Sequence, residues 1–238
     1  MNIFYSDNIN DEFIFLNKLE FNHCINVMRC TIGDLVNVVD GLGNLFKCEM
    51  IEIGKKECKL KILEEIKEYN SNDYYIHIAI SPIKNHNKIE LFIEKAVEIG
   101  VDEISFIDCE RTLRKNIRLD KIKNCSISAM KQTLKAKIPK INDIRSFNEF
   151  VEKNNNSNKF ICHLQNDDRK TLKKYNKLFK TNLDTCILIG PEGDFSLKEI
   201  NFSMENSFKP ISIGNSRLRT ETAGIVACQI LNFMYSDD

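Results

Sequence analysis

The chain contains no tryptophan, no C-x-x-C pair, no net charge, and no apolar run near the ~20 residues that a membrane-spanning helix needs. The last absence leaves no membrane association to expect. The acidic, interrupted start MNIFYSDNINDEF does not read as a secretory leader, so a cytoplasmic location is expected. Nine cysteines are scattered from Cys24 to Cys228, an odd number, and the neighbours Cys162-His163 lack a partner cluster. Neither a disulfide framework nor a zinc site is supported, so no metal is expected and the thiols read as buried and free in a reducing compartment. Missing tryptophan beside frequent Asn, Lys and Ile reads as the drift of an AT-rich genome. Internal repeats and low-complexity tracts are absent too. The 238 residues suffice for one large domain or two modest ones.

What is present is an ordinary globular composition, 42% hydrophobic and 29% charged. Zero net charge argues against indiscriminate nucleic-acid binding, but the charge is unevenly spread. From Arg111 to Arg145 eleven basic residues face only Asp120 and Asp143, a local charge of +9. Such a concentration is an electrostatic footprint for phosphate, against the blander reading of a solvated helix and loop.

The first ~70 residues read as β-rich. EFIFL (Glu12–Leu16), LVNVV (Leu35–Val39), LFKCEMIEI (Leu45–Ile53) and ECKLKIL (Glu57–Leu63) are short, partly alternating runs, with turn residues at Asp40–Asn44. Their spacing suggests a small barrel, followed by a polar linker over Glu64–Asp73. A short helix is expected over Asn22–Cys30. From Tyr74 strands alternate with helices. Strands are expected at Tyr75–Ile80, Glu103–Ile107, Phe160–Leu164, Thr185–Ile189 and Ile211–Ile213. Helices are expected after Asn87, capped by an Asn87–Glu90 box and ended by Gly100, at Leu119–Leu134, from Ser196 with a Ser196–Glu199 box to about Asn206, and from Glu221 to Tyr235. This alternation predicts an α/β fold with a mostly parallel sheet.

In such sheets ligands bind at the carboxyl ends of strands. Two strands end in unusual loops, Ile187–Ser196 (ILIGPEGDFS) and Ile211–Ala223 (ISIGNSRLRTETA). In each a glycine follows the strand at once, so a ligand can approach the backbone. Neither loop is G-x-G-x-x-G or G-x-x-x-x-G-K-[ST], which removes a dinucleotide fold and a P-loop. Isolated strand–Gly–helix turns are common. Two of them, with Arg217, Arg219 and Glu221 crowded into the second, point to a site.

Taken together, these motifs resemble those of the bacterial 16S ribosomal RNA uridine-N3 methyltransferases, a branch of the SPOUT superfamily. The similarity runs nearly end to end, through Val27-Met28-Arg29, Gly33-Asp34, Asp40-Gly41, Lys84, Lys95, Glu98–Val101, Glu110-Arg111, Ala129, Gln132 and Pro139. IGPEGDFS (Ile189–Ser196) and IGNSRLRTETA (Ile213–Ala223) carry it most specifically. The resemblance implies a PUA-like β-barrel RNA-binding domain over residues 1–70. It implies a SPOUT-type α/β domain over 71–238 whose end is threaded into a deep trefoil knot. It also implies a homodimer, S-adenosylmethionine (SAM) as cofactor, and methylation at N3 of a uridine, position 1498 conventionally, in 16S RNA or the assembled small subunit. Two positions depart from the family pattern: Asp194 stands where a second glycine is usual, and Lys135 where arginine is frequent. Lys135 keeps the charge but loses a bidentate fork.

Uridine N3 is a poor nucleophile until its proton leaves, so such an enzyme must hold the base, assist deprotonation and stabilise the anion. On the resemblance, Leu188, Ile189, Gly190, Gly193, Ile213, Gly214, Ser216, Arg217 and Leu218 contact the cofactor, mainly through backbone. Arg219 offsets charge on the uracil oxygens or a phosphate. Glu221 or Glu192 accepts the N3 proton, although Glu221 at a helix start and Glu192 in a turn also have plain structural readings. Arg29, Lys84, Arg111 and Lys135 are the expected RNA contacts. His23, His77, His86 and His163 lack partners in the sequence and read as neither catalytic nor metal-binding. The alternative function is a catalytically inactive RNA-binding or ribosome-assembly factor of the same fold.

Overall fold

The alternating apolar runs of the first seventy residues build a mixed sheet, antiparallel except where its first strand runs parallel to its neighbour. A computed structural model describes residues 3–165, 169–181 and 183–236, so the outermost residues of the two expected domains lie outside the described ones. By packing, the chain divides into two units: Met1–Ser71 with Ile127–Ile138, and Asn72–Ser126 with Pro139–Asp238.

The first unit contains β1 (Ile3–Tyr5), β2 (Phe13–Leu16), α1 (Lys18–Asn22), β3 (Leu35–Val39), β4 (Leu45–Ile53) and β5 (Cys58–Ile66), in sheet order β1-β3-β4-β5-β2. The link from β1 reaches round to β2, where Ser6 Oγ donates to Phe15 O, Phe15 N to Asn8 O and Asn10 N to Phe13 O. Phe4, Ile14, Leu16, Val38, Met50 and Leu60 fill the interior and are fully buried. Each such side chain contributes ~1.5–3 kcal/mol relative to exposure. β5 runs past Leu63 into the expected linker, because Ile66 still pairs with Leu45 of β4. The helix expected at Asn22–Cys30 instead starts at Lys18, where Asn17 caps it, and widens into a π turn over His23–Val27.

Residues 127–138 complete this unit. Gly43 N donates to Ala136 O and Ile138 N to Gly41 O, while Lys131 pairs with Glu20. Asp40 Oδ1 accepts from the amides of Leu42, Gly43 and Asn44, holding the turn. Gly41 has φ +77°, and a Cβ there would stand 2.6 Å from Ile138 Cδ1. Only glycine meets both demands.

The second unit contains β6 (Tyr75–Ile80), α2 (His86–Ile99), β7 (Glu103–Asp108), the first half of α3 (Leu119–Gln132), β8 (Lys140–Ser146), α4 (Phe147–Lys153), β9 (Asn158–Cys162), β10 (Lys170–Thr171), α5 (Asn176–Thr181), β11 (Asp184–Ile189), α6 (Leu197–Glu205), β12 (Lys209–Ser212) and α7 (Thr220–Ser236). Its seven strands are all parallel, in the order β10-β12-β9-β11-β6-β7-β8. The Ser196–Glu199 box forms as expected. The Asn87–Glu90 box does not: Asn85 is the cap, its side chain accepting from Asn87 N, because the helix begins one residue later at His86 and Asn87 already lies inside its first turn. β8 and α4 were not anticipated. KINDIRS is a largely exposed edge strand with little apolar alternation, and α4 spans only seven residues.

A polar network closes the amino ends of the strands. His77 Nε2 lies 2.8 Å from Ser105 Oγ and its Nδ1 3.1 Å from Asn156 Oδ1. Glu103 accepts from the Tyr75 hydroxyl, Lys140 Nζ and Asn142 Nδ2. None of these groups lies at the carboxyl ends.

Candidate functional site

Three neighbouring parallel strands, β12, β9 and β11, end together, and the residues that follow them surround one cavity of about 500 Å³. Pockets for small ligands and cofactors commonly enclose roughly 300–1,000 Å³. Ile189, Gly190 and Pro191 enter it from β11, Ser212, Ile213 and Gly214 from β12, and Cys162 and His163 from β9 between them. Thr220 Oγ1 donates to Gly190 O at 3.0 Å and ties the two glycine loops together. A Cβ built on Gly214 would meet nothing within 4 Å, so that backbone faces open space.

Of the expected cofactor contacts, Ile189, Gly190, Ile213, Gly214, Ser216, Arg217 and Leu218 line this cavity. Leu188 does not; it is wholly buried within β11. Gly193 lies outside the wall, its carbonyl accepting from Arg111 Nη1 at 2.8 Å. All three expected catalytic residues, Arg219, Glu221 and Glu192, are in the wall. Glu221 is buried; its Oε1 is 3.1 Å from Lys88 Nζ, and its Oε2 has no hydrogen-bond partner among the described residues. Glu192 is exposed and accepts from Lys84 N at 3.3 Å.

The four expected RNA contacts divide between the two units. Arg29, at φ +58° after the π turn, and Lys135 belong to the first unit. Lys84 and Arg111 belong to the second, and Lys84 lines a groove of about 680 Å³ with Asn85, His86, Asn87, Lys88, Arg114 and Glu192.

Five lining residues outside the two loops, Lys88, Cys162, His163, Leu164 and Arg169, escaped the sequence reading. His163 is 6% exposed, and neither ring nitrogen has a hydrogen-bond partner among the described residues. Burial holds its imidazole below the usual value, Asp194 and the Gln165 backbone pull it up and Arg169 pushes it down. The ring is therefore neutral, with one donor and one acceptor nitrogen. Burial likewise raises the Cys162 thiol to about 11, so it is uncharged. Lys88, in the first turn of α2, reaches the cavity from a helix with no glycine motif to mark it. Among the described residues no group of three or more His, Cys, Asp or Glu side chains is placed to hold a metal ion, and no helix is long and apolar enough to cross a membrane.

An RNA methyltransferase domain matches residues 70–232, and an RNA methyltransferase PUA domain matches residues 16–63. A "Ribosomal RNA small subunit methyltransferase E" of Buchnera aphidicola is 30% identical over 99% of this chain and 94% of its own length. The crystal structure of a "probable rRNA-methyltransferase" of Porphyromonas gingivalis is 32% identical, covers 99% of both chains and superposes with a TM-score of 0.91. A Legionella pneumophila protein solved with the cofactor SAM bound is 26% identical over 98% of this chain and 97% of its own, with a TM-score of 0.85. With the domain match spanning most of its length and both ligand loops inside it, this chain belongs to the RNA methyltransferase family.

Proposed function

We propose that the protein uses SAM to methylate N3 of a uridine in 16S ribosomal RNA, the position conventionally numbered 1498. One observation carries this reading: the two glycine loops and His163 converge on a single cavity of cofactor size in a chain of this family. The cavity suits SAM. The open backbone at Gly214 leaves room for a flat ring system, and His163 brings a buried neutral imidazole to the wall. Gly190, Ile189, Ile213, Gly214, Ser216 and Leu218 would hold the cofactor chiefly through backbone groups, with Leu188 packed beneath and Gly193 shaping the loop. Arg217, in the cavity wall, would meet its carboxylate. When bound, SAM supplies an electrophilic methyl group and needs no metal to do so.

The chain's own task is to hold the uridine and take its N3 proton. The wall holds three carboxylates, Glu192, Asp194 and Glu221, of which Asp194 is spent on the amides of Leu164 and Phe195, and Arg219 is one of its cations. Arg29, Lys84, Arg111 and Lys135 would carry RNA phosphates, with the PUA-like unit as an RNA-binding module. A homodimer acting in the cytoplasm, and a trefoil-knotted path for the end of the chain, complete the proposal. The knot is supported by the strand order: β12 lies on the far side of β9 from β11, so the chain crosses back past β9 before α7 packs on α2 and β6.

Isothermal titration with SAM tests the reading. Binding by the wild type, lost in Gly214→Trp, is expected, together with one methylated uridine in 16S RNA. Absence of binding at millimolar SAM would leave an inactive RNA-binding factor as the better account.

A further inference from the structure

Two cavities of the second unit meet at a shared wall. Among the described residues, only Lys88 and Glu192 line both the cofactor cavity and the neighbouring groove formed by Ile83–Asn87 and Arg114. We infer that the groove admits the acceptor nucleotide, that Glu192 is the base for the uridine N3 proton, and that Lys88 is the cation facing the uracil anion. This rests on the reading of the protein as a SAM-dependent uridine methyltransferase. If the methyl donor fills one cavity and the acceptor enters by the other, the reacting atoms meet where the two are continuous.

The groove suits a nucleotide. Lys84, Lys88 and Arg114 line it against the single carboxylate of Glu192, and Arg114 is fixed through Nη1 to Lys84 O at 3.2 Å. Glu192 has the geometry of a base. Its Oε1 is held by Lys84 N, and its Oε2 makes no hydrogen bond among the described residues, leaving a lone pair for a substrate proton. Glu221 has a different place. It lines the cofactor cavity but not the groove, it is buried, and it holds Lys88 Nζ. It is a positioning residue that keeps the ammonium at the shared wall, where charge develops on the uracil oxygens.

The step balances as follows. The N3–H bond breaks, its proton passes to Glu192 Oε2, and its electron pair stays on N3 to form the bond to the methyl carbon. The pair of the methyl–sulfur bond remains with sulfur, and the proton on Glu192 leaves to water.

Variants are compared by SAM calorimetry and by steady-state methylation of 16S RNA, free or in small subunits, whichever the wild type methylates faster. Glu192→Gln is expected to lower kcat about 100-fold or more, leaving SAM Kd and the KM for RNA within about threefold. Lys88→Met is expected to lower kcat by about 10- to 100-fold, and Lys88→Arg to recover most of that, since a cation at the same place still stabilises the anion. Glu221→Gln should cost less than Lys88→Met. Asn87→Trp, which fills the groove but not the cofactor cavity, should raise the KM for RNA about tenfold with SAM binding unchanged. Wild-type kcat in Glu192→Gln, or a deeper loss in Glu221→Gln than in Glu192→Gln, overturns the assignment, retained SAM binding showing that both variants are folded. A wild type that binds no SAM overturns the methyltransferase reading itself and this inference with it.

Discussion

Asp194 occupies a left-handed backbone conformation, with φ +63°. For an L-residue that conformation costs ~1–2 kcal/mol, and aspartate is one of the few that visit it, because its short side chain bonds locally. Here Oδ1 accepts from Phe195 N at 2.9 Å and Oδ2 from Leu164 N at 3.0 Å, while the Asp194 amide donates to Pro191 O. Asp194 thus holds a backbone shape that glycine adopts without strain and adds a tether between the β11 loop and the chain beyond β9. Removing the tether and keeping the strain should be worst. Asp194→Ala is expected to destabilise by about 2 kcal/mol and Asp194→Gly by about 1 kcal/mol less than that, measured by urea unfolding. Equal losses would show that the backbone shape is not strained.

At the scale of elements, α6 is the best-specified piece of the second unit. Ser196 Oγ accepts from Glu199 N and Glu199 Oε2 from Ser196 N, while Glu199 Oε1 accepts from Glu110 N at 2.8 Å. Glu199 is therefore both a helix cap and the anchor of the loop after β7, from which Arg111 and Arg114 extend. Ser196→Ala is expected to cost about 1 kcal/mol as an ordinary lost cap. Glu199→Ala strands two amides and should cost about twice that, with methylation falling further than stability because the loop is released. If the two variants lose the same stability, the Glu110 bond contributes nothing. Elements with this much local chemistry were legible. β3, β4 and β6 have the bounds that alternation and burial demand, and Ser196–Glu199 announces its helix. β1 was not legible, since three residues of parallel strand carry no turn signal of their own. Neither was the true start of α2, where Asn85 and Asn87 both offer a capping side chain and only the three-dimensional path decides between them.

Over the whole molecule, the site was half visible. The two glycine loops could be found because a strand running straight into glycine is a local pattern. His163 could not, because it joins those loops only through the order in which strands pair, with β9 between β12 and β11, and neither could Lys88, which α2 brings in after β6 on the other side of β11. Folding also sets an acid limit on stability. Burial holds the imidazoles of both His77 and His163 below the usual value near 6.5; around His77 the Glu103 and Asp184 carboxylates and the Asn156 bond pull upward, and Lys140 pushes downward. As pH falls through that value the unfolded chain gains protons that the folded chain still refuses, so stability is full above it and declines below it. Unfolding midpoints should fall between about pH 7.5 and about pH 5.5, and less steeply in His77→Gln than in the wild type. A variant slope equal to the wild-type slope would remove His77 from this account.

The turn at Gly41 closes on Ile138, almost a hundred residues further along the chain, and Gly43 on Ala136. The first unit is thus written in two separate passages of the sequence, the second of them embedded in the text of its neighbour. Recombination could not lift such a unit out with one cut at each end, as it can a self-contained cassette. A gene fragment ending at residue 70 would carry the glycine at the turn without the isoleucine that requires it, and the two halves of this protein are bound to be inherited as one.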